Sequence, residues 1–250
     1  MESKPRTAVE NMALDEAMLL RAADSGDTLV RLYEWSQPSV SFGRNQRTAG
    51  VYSAERCAAQ SVPAVRRLTG GRALLHAREL TYAVAAPNAA ALTLRGGYEA
   101  INDVLLTALR ILGIDAERAV PAMRATAPDL APCFETPSAG ELVVHGAKIV
   151  GSAQHRDGRA FLQHGSILLD DDQGMLQAIA LVPLPIVPTP ATVRSLRPGI
   201  GAPQLIAAIT DALRAVCGGD IVVCADVDLL SRYVEAAATR YRDPCWTWRR

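Results

Sequence analysis

Apolar residues first recur at helical spacing between Val9 and Ala23, where Val9, Met12, Ala13, Ala17 and Leu20 share a stripe. The pattern predicts an opening amphipathic helix. Thr28 to Trp35 and Ser39 to Phe42 are rich in strand formers and bounded by Gly26 and Pro38, so they read as two strands joined by a short turn. Val65 to Leu68 is a further strand that meets Gly70-Gly71, resumes from Arg72 to His76, and is followed by another from Glu79 to Ala85. A long helix is expected from Tyr98 to Leu112, with Ile101, Val104, Leu105, Ala108 and Leu109 on its apolar side and Gly113 just past its end.

Ala119 to Pro132 is rich in Pro and Ala and reads as a loop leading to Cys133. Beyond it, Glu141 to Val144, Lys148 to Ser152 and Arg159 to Leu169 are separated by the turns His145-Gly146-Ala147 and Asp157-Gly158, which predicts an antiparallel meander. The proline-studded run from Leu181 to Pro203 is a crossing loop. Helices over Gln204 to Val216 and Asp228 to Tyr241 then flank a strand from Asp220 to Ala225. With no internal repeat and a continuous apolar pattern, the expectation is one α+β domain over residues 1–250, its sheets largely antiparallel and flanked by helices.

Charge narrows the classes of partner. Lys plus Arg and Asp plus Glu each number 26, which removes a general electrostatic case for nucleic acid or an anionic membrane. No apolar run approaches the roughly 20 residues that span a bilayer, and the N-terminal stretch lacks a signal core. Five cysteines, at 57, 133, 217, 224 and 245, include no CxxC pair. They signal neither a disulfide framework nor a zinc site, so no metal is expected and a reducing cytoplasm fits best.

Four groups of residues can carry chemistry. Arg66-Arg67-Leu68-Thr69-Gly70-Gly71 sets two guanidinium groups before a di-glycine. This is either a ligand clamp for carboxylate or phosphate or a hairpin turn with solvated arginines. His76 reads as an orienting or packing residue more readily than a proton carrier, while Gln163-His164-Gly165-Ser166 puts polar groups inside an apolar strand that must supply partners for them. Lys148 is either an edge-strand charge or a cation aimed into a cleft, and the neighbouring Gly151-Ser152 favours the cleft. Cys217 and Cys224 fit inert, buried thiols, whereas the loop position of Cys133 favours a reactive thiolate if a cation lies near.

Taken in order, RRxTGGxxxxH from Arg66 to His76, GxKIVGSAQ from Gly146 to Gln154, and Gln163 to Ser166 resemble the lipoate-protein ligase and octanoyltransferase family, related in fold to biotin protein ligases. Gly43-Arg44 and Arg194-Ser195-Leu196 are weaker markers, and the likeness runs from about Asn11 to Leu196. Pro132 to Ser138 is similar to the octanoyltransferase branch, in which a cysteine carries the acyl group. The resemblance implies a class II synthetase-like catalytic fold. It also implies catalytic roles for Cys133 and Lys148, and substrate contacts from Arg44, Arg67, Gly70, Gly71, His76, Gly151, Ser152, His164 and Gly165. Octanoyl acyl carrier protein would be the donor, and lipoyl domains or glycine-cleavage H protein the acceptor. No cofactor follows, because a thioester donor needs no ATP, and the stretch after Leu196 is shorter than the accessory C-terminal domain of the ligases. Leu74, Val150 and Leu162 are expected around an acyl tunnel. Two other readings stay open: an ATP-dependent lipoate ligase without that accessory domain, and a non-catalytic binder of lipoyl domains or fatty acids.

Overall fold

The computed structural model describes residues 4–88, 94–119, 140–186, 188–218, 221–223 and 227–249. The first helix, α1 (Ala8–Ser25), starts where Thr7 and Glu10 form a reciprocal capping box and stops at Gly26 in the left-handed conformation (φ 77°). Strands β1 (Leu29–Tyr33) and β2 (Ser39–Phe42) follow, then α2 (Ala54–Ala59), β3 (Ala64–Arg66), β4 (Leu74–His76), β5 (Glu79–Pro87) and α3 (Leu94–Ile111). After β6 (Glu117–Arg118) come β7 (Leu142–Val144), β8 (Ala147–Asp157) and β9 (Ala160–Leu168). Helices α4 (Leu176–Ile179), α5 (Val193–Leu196), α6 (Ala202–Cys217), α7 (Ser231–Arg242) and α8 (Pro244–Thr247) complete the order.

Among the described residues the strands form two sheets, one ordered β1-β5-β9-β8-β7-β6 and a smaller one ordered β3-β2-β4. The large sheet is antiparallel throughout, as the meander pattern predicts. One of its faces packs on α3 and α6 through Leu80, Tyr82, Ile167, Val104, Leu109, Leu205 and Ile209. The other meets α1, with α7 outside it, through Ala83, Ala85, Leu162, Ala13 and Ala17. At about 25 cal/mol per Å² of apolar area removed from water, these two cores supply the main driving force for the fold.

Several expectations change. The two strands expected over residues 28–42 form, but they enter different sheets, β1 at the edge of the large one and β2 at the centre of the small one. The stretch around Gly70-Gly71 is not a hairpin turn: β2 lies between β3 and β4 and runs parallel to β3. The long helix begins four residues before Tyr98, at Leu94, because Gly97 packs against the Phe161 ring, where an added Cβ would sit 3.1 Å away. The crossing loop contains α5 and ends early, as Pro203 lies in the first turn of α6, where a missing N–H costs nothing. Of the strand expected over 220–225, residues 221–223 are unpaired and exposed. Cys217 is exposed at the end of α6, not buried, whereas Cys57 is buried and burial pushes its thiol up to about 11. The loop expected before Cys133 lies outside the described residues except for Ala119, and Cys133 and Cys224 lie outside them too. No described helix is long and apolar enough to cross a membrane.

Candidate active site

Strand β8 builds the site through an irregularity. Leu142 opposes Val150 and Val143 opposes Lys148, so Ile149 has no partner on β7 and forms a β-bulge. Ile149 and Val150 both enter the core under α3 and α6. Strand alternation therefore turns Lys148 to the opposite face, together with Glu141 and Val143. Gly151, Ala153 and His155 share that face, because they stand opposite Ser166, His164 and Leu162 of β9, and directly opposed residues lie on one side of a sheet. Lys148 is 3% exposed and its Nζ donates to Glu141 Oε1 at 2.8 Å. The edge-strand reading of this lysine fails, since β8 lies between β9 and β7.

Thr69 brings the loop that follows β3 onto the same face, its Oγ1 2.6 Å from Nε2 of His164. Arg67 is buried and tied inward: Nη1 donates to the Ser41 carbonyl (2.9 Å) and Oγ (3.0 Å), and Nη2 to the carbonyls of Gly70 (2.9 Å) and Arg72 (2.8 Å). Arg66 reaches the carbonyls of Gly43 (2.6 Å), Gln46 (2.8 Å) and Thr247 (2.9 Å). Neither arginine is solvated as a hairpin turn would leave it. Arg67 braces the loop over residues 70–72 from beneath, whereas Arg66 ties the turn after β2 to Thr247. Gly43 lets that turn and the loop approach, because a Cβ there would fall 1.9 Å from the Gly71 carbonyl oxygen. Gly70 itself is exposed, with nothing within 4 Å of where a Cβ would stand. A ligand can approach its backbone.

At one end of the strip the half-buried Arg44 meets His155, with 3.1 Å between Nη1 and Nδ1, while its backbone N–H donates to the Thr69 carbonyl at 2.8 Å. Burial first, and Arg44 second, hold the His155 imidazole below its ordinary range. His164 is 6% exposed and carries Asp15 Oδ2 on Nδ1 (2.8 Å) and Thr69 Oγ1 on Nε2 (2.6 Å). Asp15 also accepts from Tyr33 (2.8 Å) and Arg31 (3.2 Å). Burial, then Asp15, drives the Tyr33 phenol well above its usual range.

Not every expected residue joins this strip. The Ser152 side chain faces α3 instead, in a ladder where its Oγ meets Tyr82 Oη (2.6 Å), Gln163 donates to Tyr82 (2.8 Å) and Gln154 donates to Gln163 (2.8 Å). Gly165 lies opposite Ser152 and is a packing position: an added Cβ would be 2.5 Å from both the Gly151 carbonyl oxygen and Tyr82 Cε1. His76 belongs to the small sheet, where it stacks on Trp35 at 3.8 Å. Leu74, Val150 and Leu162 do not form one wall, because Val150 and Leu162 enter cores on opposite faces of the sheet. Glu141, Asp15 and Glu79 carry no motif signal in the sequence, and Thr69 stands out only as a member of the run from Arg66 to Gly71. The available signal for Asp15 was its position one turn from Asn11 on the stripe that α1 buries.

Residues 7–218 match the model of the lipoyl protein ligase A/B catalytic domain. The chain belongs to that family. Within the lipoyl ligase A/B family it is 42% identical over 186 residues to octanoyltransferase LipM of Kyrpidia tusciae, covering 71% of this chain and 68% of that one. It is 41% identical over 182 residues to octanoyltransferase LipM of Geobacillus kaustophilus, covering 69% and 66%. The matched segment thus spans about two thirds of these relatives' length. Solved structures agree on the fold. A lipoate-protein ligase A bound with ATP superposes with a TM-score of 0.78 at 18% identity over 98% of both chains. An archaeal bipartite lipoate protein ligase from Thermoplasma acidophilum gives 0.78 at 18% identity over 99% of this chain and 96% of the other.

Proposed function

We propose that the protein is an octanoyltransferase of lipoate assembly, moving an octanoyl group from acyl carrier protein to a lysine of a lipoyl domain or glycine-cleavage H protein. The observation that carries this reading is the buried Lys148 cation, turned by the Ile149 bulge onto a strip of small residues under the Gly70-Gly71 backbone, in a chain whose relatives at 42% identity are octanoyltransferases. Small side chains at Gly151 and Ala153 leave room for an extended aliphatic chain. Burying each methylene of that chain is worth about 0.8 kcal/mol.

The chemistry has two steps. The Cys133 thiolate attacks the donor thioester carbonyl, forming a new carbon–sulfur bond as the carrier thiolate leaves. The lysine amine of the acceptor then attacks the acyl-cysteine, an amide bond forms, the Cys133 thiolate departs and the amine gives up a proton to solvent. Lys148 favours the thiolate over the thiol and stabilises the oxygen that becomes negative at each tetrahedral stage. Glu141 holds the ammonium in place. Because the donor is already activated, the reading assigns no role to ATP, to a metal or to an adenylating domain. Incubation with octanoyl acyl carrier protein and an apo lipoyl domain, without ATP, is expected to yield the octanoylated domain. Product that forms only with ATP and free acid, with pyrophosphate released, would assign the chain to the ligases instead.

A further inference from the structure

Both buried histidines of the family motifs have their two ring nitrogens occupied by the protein itself. His164 links Asp15 (2.8 Å) to Thr69 Oγ1 (2.6 Å). His76 links Glu79 Oε1 (2.7 Å) to Ser41 Oγ (2.7 Å), and Ser41 Oγ in turn accepts from Arg67 (3.0 Å). Each chain therefore runs carboxylate, imidazole, hydroxyl. Since a carboxylate only accepts, Nδ1–H of each ring donates to it, and the tautomer that completes each chain lets Nε2 accept from the hydroxyl. All six residues are 7% exposed or less, Ser41 and Thr69 fully buried. Each ring nitrogen of the two histidines is already engaged within its own chain.

The two chains end on the same short segment. Thr69 lies immediately before Gly70, and Ser41 holds Arg67, whose other nitrogen binds the Gly70 and Arg72 carbonyls. They begin on different elements, Asp15 on α1 and Glu79 on β5, and Glu79 is itself fixed by Thr81 and Ser166. One chain thus pins the loop to the helix layer and the other pins it to the small sheet. We propose that these paired relays are positioning devices that set the height of the Gly70-Gly71 backbone above β8, and with it the width of the acyl groove. The proposal deepens the octanoyltransferase reading and rests on it for its kinetic consequence, but not for its structural one.

The test compares wild type with Thr69→Val, which removes the hydroxyl at constant shape, and Thr69→Ser, which keeps it. Two quantities are read: hydrogen exchange of the Arg44 amide, which donates to the Thr69 carbonyl, and KM and kcat for octanoyl transfer from acyl carrier protein. Thr69→Val should speed exchange at Arg44 by about tenfold while amides at the centre of β5 and β9 hold their protection. It should raise KM about fivefold or more with a smaller change in kcat, and Thr69→Ser should recover both. Ser41→Ala repeats the test on the other chain with the Arg67 amide, bonded to the Phe42 carbonyl at 3.0 Å, as reporter. It answers the question even if Thr69→Val fails to fold. Exchange and KM within about twofold of wild type in a folded variant would overturn the relays. A wild-type protein that transfers nothing would overturn the octanoyltransferase reading alone, because the exchange experiment needs no activity.

Discussion

The two faces of the large sheet differ in how much of their buried area is polar and in what the polar groups hold. Under α3 and α6 the face is mostly aliphatic, Leu80, Ile167, Val150 and Leu142 against Val104, Leu109 and Leu205, with one bonded polar ladder through Ser152, Tyr82 and Gln163. On the face of α1, apolar packing at Ala83, Ala85 and Leu162 gives way along the same strands to His164, Thr81, Ser166 and Glu79, all buried. A polar group without partners costs more buried than exposed, so such a strip persists only if every member is bonded. It is bonded, through Asp15, Thr69, Ser41 and Trp35. The first face supplies stability with little geometric demand, whereas the second fixes a loop and a lysine to particular positions. A site can be carried by one sheet because the larger apolar core lies on one side and the contacts that fix the loop and the lysine lie on the other.

The comparison can be broken most forcefully at Lys148. Lys148→Met leaves Glu141 buried beside a lost cation, which is expected to cost about 3–5 kcal/mol, seen in denaturant unfolding, and to abolish transfer. Adding Glu141→Leu should restore most of the stability and none of the activity. Restored activity would remove Lys148 from the mechanism. On the other face, Leu109→Ala should cost about 2–5 kcal/mol while the activity of the folded fraction stays close to wild type. Gly165→Ala tests the seam between the faces. Its methyl would meet the Gly151 carbonyl and the Tyr82 ring, so overpacking is expected to cost about 1–3 kcal/mol and to disturb Ser152 more than Lys148.

The smallest effect is one of pH. His155 has its imidazole lowered by burial and by Arg44, so over the range below its ordinary pKa the unfolded chain binds more protons than the folded one. Its contribution to stability is present above that range and declines as pH falls through it. Melting temperature plotted against pH should drop less steeply on acidification in His155→Gln than in wild type. Equal slopes would mean that in solution the imidazole is neither desolvated nor held beside Arg44.

The fold was largely legible because its signals are local. Helical spacing and the Thr7 cap define α1, and the turns at Gly146 and Gly158 define the β7-β8-β9 meander. Misplacements arose where distant segments decide: β2 enters between β3 and β4, which no pattern around Gly70 reveals, and Gly97 tolerates a helix because Phe161 packs on it. The family motifs singled out Lys148, His76 and His164, but their functions in the structure depend on pairings such as His164 with Asp15, 149 residues apart. The bulge that aims Lys148 was hidden for another reason. Lys148-Ile149-Val150 reads as ordinary strand, and its register is set by β7. Arg67 shows the reverse case, where residue type suggested a ligand clamp and burial made it a brace for its own loop.

The central claim is covalent acyl transfer through Cys133, and the intact mass of the protein after mixing with octanoyl acyl carrier protein tests it most directly. Wild type should gain the mass of one octanoyl group, released by hydroxylamine and by an acceptor lipoyl domain, and Cys133→Ala should gain none. An undiminished rate of octanoyl transfer by Cys133→Ala would contradict the account.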